Sequence, residues 1–437
     1  MVKYLDTEKT VLMKNVNNLS GLIEKNLPED VKALVDKVVT AASRSDKRIY
    51  LVGGIVRDIL LGKPNLDLDF VVEGDAIGLA MDIVKQTGGK LTTHARFNTA
   101  KIKLERWNID LATARSETYA RPGALPTIKP GSIEEDLFRR DFTINSMAIR
   151  LTPQNKYGEL IDPYNGYTDL RHKLIRILHE KSFIDDATRI WRAIRYEQRL
   201  DFHIEPTTLR LIERDISMLT TISGDRIRHE LELVLKEEYP EKMLQRAWVL
   251  KALGKIHHGL RGDVWLTEKF SSARAISYIE QEISRLYMAL LAYRLTENEI
   301  EELVSFLRPD RRTAIILCDS SQLKSNIKEL IRKEEPAHLY SKLHGYHQTA
   351  LLANYIAADS IKAKRAIKLY LDKLRHVKTA LTGNDLRLLG IPKGETIQEV
   401  LLLLHNARLN GDIKTRREEE MLVREWLAGQ HSNLIKN

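Results

Sequence analysis

The stretch that decides the fold is LVGGIVRDILLGKPNLDLDFVV, Leu51–Val72. The apolar run Ile49–Val52 favours a strand, and it turns on Gly53 and Gly54 into a segment with helical apolar spacing at Ile55, Ile59 and Leu60. Gly62, Lys63 and Pro64 break that helix, and Leu66–Val72 then reads as a second strand carrying Asp67 and Asp69. Residues two apart on a strand share a face, so the two carboxylates are expected to converge. Facing a glycine turn, such a pair suits magnesium held against a triphosphate. Gly53 and Gly54 let the backbone approach phosphate oxygens, and Arg57 supplies a fixed cation. This pattern fits nucleotidyl transfer.

The remaining composition sets the frame. The chain has 437 residues, 43% apolar and 30% charged, enough for about two to four domains and neither fibrous nor disordered. Met1–Asp30 holds no cleavable leader pattern and no run of about 18 uncharged apolar residues occurs, so a cytosolic protein without membrane partners is expected. The single cysteine, Cys318, lies in the apolar run AIILC and reads as core. A formal charge of +9 favours a polyanionic partner, with nucleic acid foremost. No histidine pair has the HExxH spacing of a zinc hydrolase.

Taken in order, Glu29–Ser45 has amphipathic spacing, Ala76–Thr87 reads as a helix, and His94–Glu105 with Asn108–Thr113 reads as a hairpin returning to the sheet. Its second strand carries Asp110, either a third inward carboxylate for two-metal chemistry or an ordinary strand aspartate. Ser116–Glu135 holds three prolines and two glycines and reads as a long functional loop. In DLFRRDFTINSMAI, Asp136–Ile149, Arg139, Arg140 and Asp141 suit either a ribose clamp or a structural ion-pair cluster. From Asp169 onward helical spacing dominates. There Asp186 and Arg189, three apart, read as neighbours on one helix face: either a plain ion pair, or a donor and acceptor matching the base edge shared by cytosine and adenine. Ile361–Lys378 is basic at Lys362, Lys364, Arg365 and Lys368, either a phosphate contact or a solvated face.

Together LVGGIVRDILLG, DLDFVVEG, DLFRRDFTINSMA, DPYNGYTDL, DDATRIWRAIRYEQRL and DRIRHELE resemble, in order and spacing, the class II tRNA nucleotidyltransferases and bacterial poly(A) polymerases. TGNDLRLLGIPKG resembles the CCA-adding branch. The resemblance implies an α/β head with a DNA-polymerase-beta-type nucleotidyltransferase sheet, followed by all-α neck, body and tail domains. The expected bounds are an N-terminal helical brace at 1–45, head 46–168, neck 169–236, body 237–340 and tail 341–437.

It further implies Asp67 and Asp69 as Mg²⁺-binding carboxylates, with Asp110 beside them, and Gly53, Gly54 and Arg57 as the triphosphate cradle. Arg140, Asp141 and Asn145 fall in its ribose motif. Asp186 and Arg189 match its base-reading pair, supported by Arg192, Arg195, Arg226 and Glu230. The implied activity is addition of the tRNA 3′ CCA from CTP and ATP. Rival readings are a CC-adding or A-adding specialist and a poly(A) polymerase. A silent tRNA-binding module would lack a metal carboxylate, and both are present. In the family it resembles, enzymes that add only CC have the Ser116–Glu135 loop shortened or altered, whereas here it is long.

Overall fold

The computed structural model describes residues 18–64, 67–276, 282–330 and 335–434. Of the expected brace, residues 1–17 therefore lie outside the described residues, as does Leu66 of the second strand. The chain divides into two compact units, one of residues 1–230 with 250–255 and one of residues 231–249 with 256–437.

The first unit opens with helices α1 (Ser20–Asn26) and α2 (Glu29–Arg44), then β1 (Arg48–Val52), α3 (Gly54–Leu61), β2 (Leu68–Glu73) and α4 (Ala76–Thr87). Strands β3 (Lys90–His94), β4 (Thr99–Lys103) and β5 (Asn108–Thr113) follow, then the hairpin β6 (Arg115–Thr118) and β7 (Thr127–Pro130). Helix α5 (Ile133–Phe138) leads to β8 (Ala148–Arg150), β9 (Leu160–Ile161) and α6 (Gly166–Arg171). Seven strands form one mixed sheet in the order β3-β4-β5-β2-β1-β8-β9, in which β2 and β5 are parallel.

Alternation fixes the two faces. Ala100, Ile102, Ile109 and Leu111 are buried beneath α4, while Lys101 and Asp110 point to the opposite face. On that opposite face a second core joins Tyr50, Val52, Val71 and Ala148 to Ile133 and Leu137 of α5. Helix α5 is started by a capping box between Ser132 and Glu135.

Beyond the sheet come β10 (Leu174–Ile175), α7 (Ser182–Asp185), α8 (Thr188–Leu200), β11 (His203–Ile204), α9 (Pro206–Asp215) and α10 (Gly224–Leu235). The expected all-α character holds apart from β10 and β11, two residues each and paired in parallel. Fully buried Trp191, Ile190 and Ile194 set the inward face of α8.

The second unit is helical: α11 (Pro240–Val249), α12 (Val264–Arg274), α13 (Ile283–Ala292), α14 (Glu297–Leu307), α15 (Arg311–Leu330), α16 (Pro336–Leu343), α17 (Gln348–Ala357), α18 (Ile361–Asp372), α19 (Gly383–Leu388), α20 (Glu395–Asn410) and α21 (Arg416–Leu434). Helices α13, α15 and α17 pack on one another, and the last three enclose a separate core of Leu381, Leu386, Ile391, Val400, Leu404 and Val423. Cys318 is exposed on α15, contrary to its reading as core. Five apolar residues in a helix sweep past every side of it, and Ile316 and Leu317 take the inward positions. On α18, Ala363 and Ile367 are buried, while Lys362, Arg365 and Lys368 are exposed and Lys364 is half-buried. Among the described residues no helix is long and apolar enough to cross a membrane.

Candidate active site

The turn from β1 into α3 is built on Gly53, whose φ of 76° lies in the left-handed region, and a Cβ there would meet Arg140 Nη1 at 2.9 Å. Only glycine serves both demands. Helix α3 begins at Gly54, so its first amides border the same space, an arrangement that favours anions. The second strand starts at Leu68, one residue beyond Asp67. Asp67 therefore precedes β2, with Asp69 on it, a correction to the expected strand bounds. The first paired residue of β2 is Leu68, opposite Ile109. Both carboxylates line one cavity of about 420 Å³ with Gly53, Gly54, Arg57 and Asn145.

Asp69 sits opposite Asp110 in the parallel pairing of β2 and β5, and Asp110 sits opposite Lys101 on β4. Burial pushes the Asp69 carboxyl up to about 6, and Asp110 and Asp67 add to the rise against Arg140 and Lys101. Asp110 is half-exposed and takes a 2.9 Å ion pair from Lys101. It lines a neighbouring cavity and not the one holding Asp67.

Arg57 is 3% exposed and bonds Asp58 through two nitrogens, at 2.8 and 2.9 Å, and Asn145 Oδ1 at 2.7 Å. Asn145 in turn donates to Asp141 Oδ1 at 3.0 Å, and Arg192 donates to Asp141 Oδ2 at 2.8 and 2.6 Å. Burial would raise the Asp141 carboxyl, but Arg192 and Asn145 outweigh it and hold it below the usual range. Arg139 and Arg140 both pair with the fully buried Asp136, at 2.7 and 3.0 Å. The tandem arginines are thus anchored from below by a residue the sequence reading did not single out. Its signal was present at i, i+3 and i, i+4.

Asp186 and Arg189 are not neighbours on one helix. Asp186 is extended, with φ of −143°, after α7, and α8 begins only at Thr188. Its Oδ1 accepts from the Thr188 amide at 3.0 Å, the Thr188 hydroxyl at 2.6 Å and Arg226 at 2.8 Å. Arg189, 4% exposed, donates to Ser182 Oγ and to the Arg139 carbonyl, each at 2.6 Å. Each group is thus fixed by partners other than its fellow, and both line the cavity of Asp67 and Asp69. Arg226 and Glu230, expected as supports of that pair, act on different partners. Arg226 holds Asp186, while Glu230 lies 3.9 Å from Arg192 and 3.8 Å from Arg195.

The long loop is partly regular. Two four-residue strands pair from Arg115 opposite Pro130 to Thr118 opposite Thr127. Glu117 accepts from Arg115 at 2.9 Å, Arg139 at 3.1 Å and the Tyr119 hydroxyl at 2.9 Å. Burial and the Glu117 charge push the Tyr119 phenol up. Through Arg139, whose carbonyl receives Arg189, the hairpin is two bonds from the Arg189 guanidinium. Tyr196 and Arg199, also unforeseen, complete the cavity wall, one helical turn from Arg192 and Arg195.

A poly(A) polymerase head-domain model matches residues 49–176, and a model described as a probable RNA- and SrmB-binding site of polymerase A matches 201–260. The A-adding tRNA nucleotidyltransferase of Halalkalibacterium halodurans is 33% identical over 94% of this chain and 96% of its own length. That of Geobacter sulfurreducens is 34% identical over 93% of this chain, which spans 48% of the Geobacter protein. The Thermotoga maritima CCA-adding enzyme complexed with tRNA superposes with a TM-score of 0.74 at 31% identity, covering 94% of this chain and 98% of that one. With a head that gathers two carboxylates and a glycine turn about one cavity, and a Halalkalibacterium relative 33% identical and matched over 96% of its length, the chain belongs to the tRNA nucleotidyltransferase and poly(A) polymerase family.

Proposed function

We propose that this protein completes the 3′ end of tRNA with CCA, using CTP and ATP and no nucleic-acid template. One observation carries the reading: Asp67, Asp69, the Gly53 turn, Asp186 and Arg189 line a single cavity. A nucleotide can therefore keep its phosphates by the carboxylates while its base meets Asp186 and Arg189. The donor set suits Mg²⁺, since Asp67 and Asp69 offer hard oxygen ligands to one cavity. When bound, magnesium supplies charge against the triphosphate and lowers the pKa of the acceptor hydroxyl.

The chain's own residues align and select. The amides that open α3 at Gly54 take phosphate oxygens, the Gly53 amide being engaged by the Met147 carbonyl at 3.4 Å, and Arg57, held by Asp58, acts through Asn145 on the ribose side. Asp186 accepts from an exocyclic amino group, and Arg189 donates to the bare ring nitrogen beside it. Cytosine and adenine present that edge, whereas uracil and guanine place a carbonyl beside a ring N–H. Residues 46–168 act as head, 169–236 as neck, 237–340 as body and 341–437 as tail. The exposed Lys362, Arg365 and Lys368, with Lys364, meet RNA phosphates. The cytoplasm is the expected place of action.

A second reading, addition of A alone, is favoured by the names of the Geobacter and Halalkalibacterium relatives. Labelled CTP and ATP supplied with tRNAs ending before CCA, at C and at CC separate the two. All three ends are extended to CCA on the first reading, and only the CC end on the second. Base choice has its own test. Asp186→Ala or Arg189→Ala should lower the incorporation rate and narrow the preference over UTP and GTP, because each leaves one edge of the base unread. Full activity with unchanged selectivity in both variants would reduce the pair to a scaffold for α8.

A further inference from the structure

In the second unit the buried Ile256 and Leu260 pin the turn between them, IHHGL. The turn presses so closely on the residues before α14 that a Cβ on Gly259 would lie 2.6 Å from the Leu295 side chain. This approach brings His257 and His258, their rings 4.5 Å apart, against the start of α14. There Glu299 and Glu302 are three apart and share one helix face. His258 Nε2 lies 3.4 Å from Glu299 Oε1, and His257 Nε2 lies 3.7 Å from Glu302 Oε2. One ligating atom each from His257, His258 and Glu299 falls within 4.8 Å of the other two. The second Glu299 oxygen is held by the helix cap, accepting from the Thr296 amide at 2.8 Å and its hydroxyl at 2.9 Å. That leaves Oε1 turned to His258.

Two observations set the cluster apart from a pair of ordinary ion pairs. Both nitrogen-to-oxygen separations exceed the roughly 3.2 Å limit of an N–H···O bond, and they approach the edge of a ligand tetrahedron, about 3.3 Å for donors about 2.0 Å from a central ion. Moreover, the His257 side chain is only 7% exposed, and its Nε2 has no hydrogen-bond partner among the described residues. Its Nδ1 accepts from the Gly259 amide at 3.1 Å, so the neutral ring carries its proton on that orphaned Nε2. We infer that His257, His258, Glu299 and Glu302 form a binding site for a first-row transition ion, zinc foremost, that clips the turn to α14. Imidazole beside carboxylate suits zinc, whereas magnesium and calcium take oxygen ligands throughout. Ligation moves the His257 proton from Nε2 to Nδ1. The Gly259 amide, half-buried in the turn, then gives up Nδ1 for water.

The test uses untagged full-length protein titrated with Zn²⁺ in excess Mg²⁺. His258 and Glu302 have side chains 80% and 71% exposed, so replacing either leaves the core intact. Wild type is expected to bind one Zn²⁺ equivalent more than His258→Ala, with a micromolar or tighter dissociation constant, and Glu302→Gln to weaken that equivalent about tenfold or more. X-ray absorption of the zinc-loaded protein should show two imidazoles, oxygen and no sulfur, which also excludes Cys318. Zn²⁺ should slow hydrogen exchange over residues 256–262 and α14 in wild type and leave it unchanged in His258→Ala. Equal zinc binding by wild type and His258→Ala, or binding only at millimolar zinc, would overturn the inference and return the four side chains to surface ion pairing.

Discussion

Asp67→Asn and Asp69→Asn should each lower kcat for incorporation of either nucleotide by about a thousandfold or more, the rate equivalent of roughly 4 kcal/mol of charge stabilisation at the reacting phosphate. Asparagine preserves the shape of each side chain, so the sheet around β2 should stay folded. Removing a negative charge takes nothing from the RNA contacts, so tRNA binding should stay within a few-fold of wild type. Single-turnover incorporation measured beside filter binding reads both quantities. Loss of binding in step with activity would mean the carboxylates shape the RNA surface, and appreciable turnover in either variant would remove them from the chemistry.

The second large effect concerns the β6–β7 hairpin. On the proposed CCA-adding reading, one pair, Asp186 and Arg189, reads a small base and a larger one, so the cavity changes between C and A addition. The hairpin is wired to it: Glu117 holds Arg139, and the Arg139 carbonyl holds Arg189. Replacing Glu117–Pro126 with a short glycine linker removes Glu117 and Tyr119 together. That frees Arg139 from one of its two carboxylate partners while Asp136 retains the other. We expect A addition to fall about a hundredfold or more, the scale on which small misplacements at a reacting centre act. C addition to a tRNA lacking all three nucleotides should remain largely intact where the protein performs it. Equal impairment of both additions would mark the hairpin as a structural strap. The tip is one candidate for such a strap, since a Cβ on Gly123 would lie 2.5 Å from the Thr221 carbonyl.

How much of this was legible depends on whether the signal was local. The β1–α3 unit was, because an apolar run, two glycines and helical spacing each act within a few residues of one another. The amphipathic α2 and the whole of α4 were legible for the same reason. Strand β3, KLTTH, was missed: it lies at the edge of the sheet with most of its residues exposed, so it shows no apolar alternation. The β6–β7 pairing was hidden by the prolines and glycines that make its tip, since four-residue strands leave too little pattern beside them. The spacing of Asp186 and Arg189 was read correctly as a number and wrongly as geometry. A helix that begins at Thr188 puts one residue outside its first turn, and the sequence DDATR carries no strong mark of that start. One partner each of Arg57 and Arg189 comes from a distant segment, Asn145 and Arg139, and such pairings follow from the finished fold.

The exposed position of Cys318 has a practical consequence. The chain contains one cysteine, and it stands on the surface of α15 in the second unit, so a thiol-reactive fluorophore would mark a single known point without any prior substitution. Partial burial, with Asp319 and Glu301 nearby, raises the thiol pKa, so labelling calls for a mildly alkaline buffer in which the thiolate is present. A dye there, paired with one on the acceptor arm of a tRNA, would report the arrival and departure of the RNA in real time and give each nucleotide addition its own dwell.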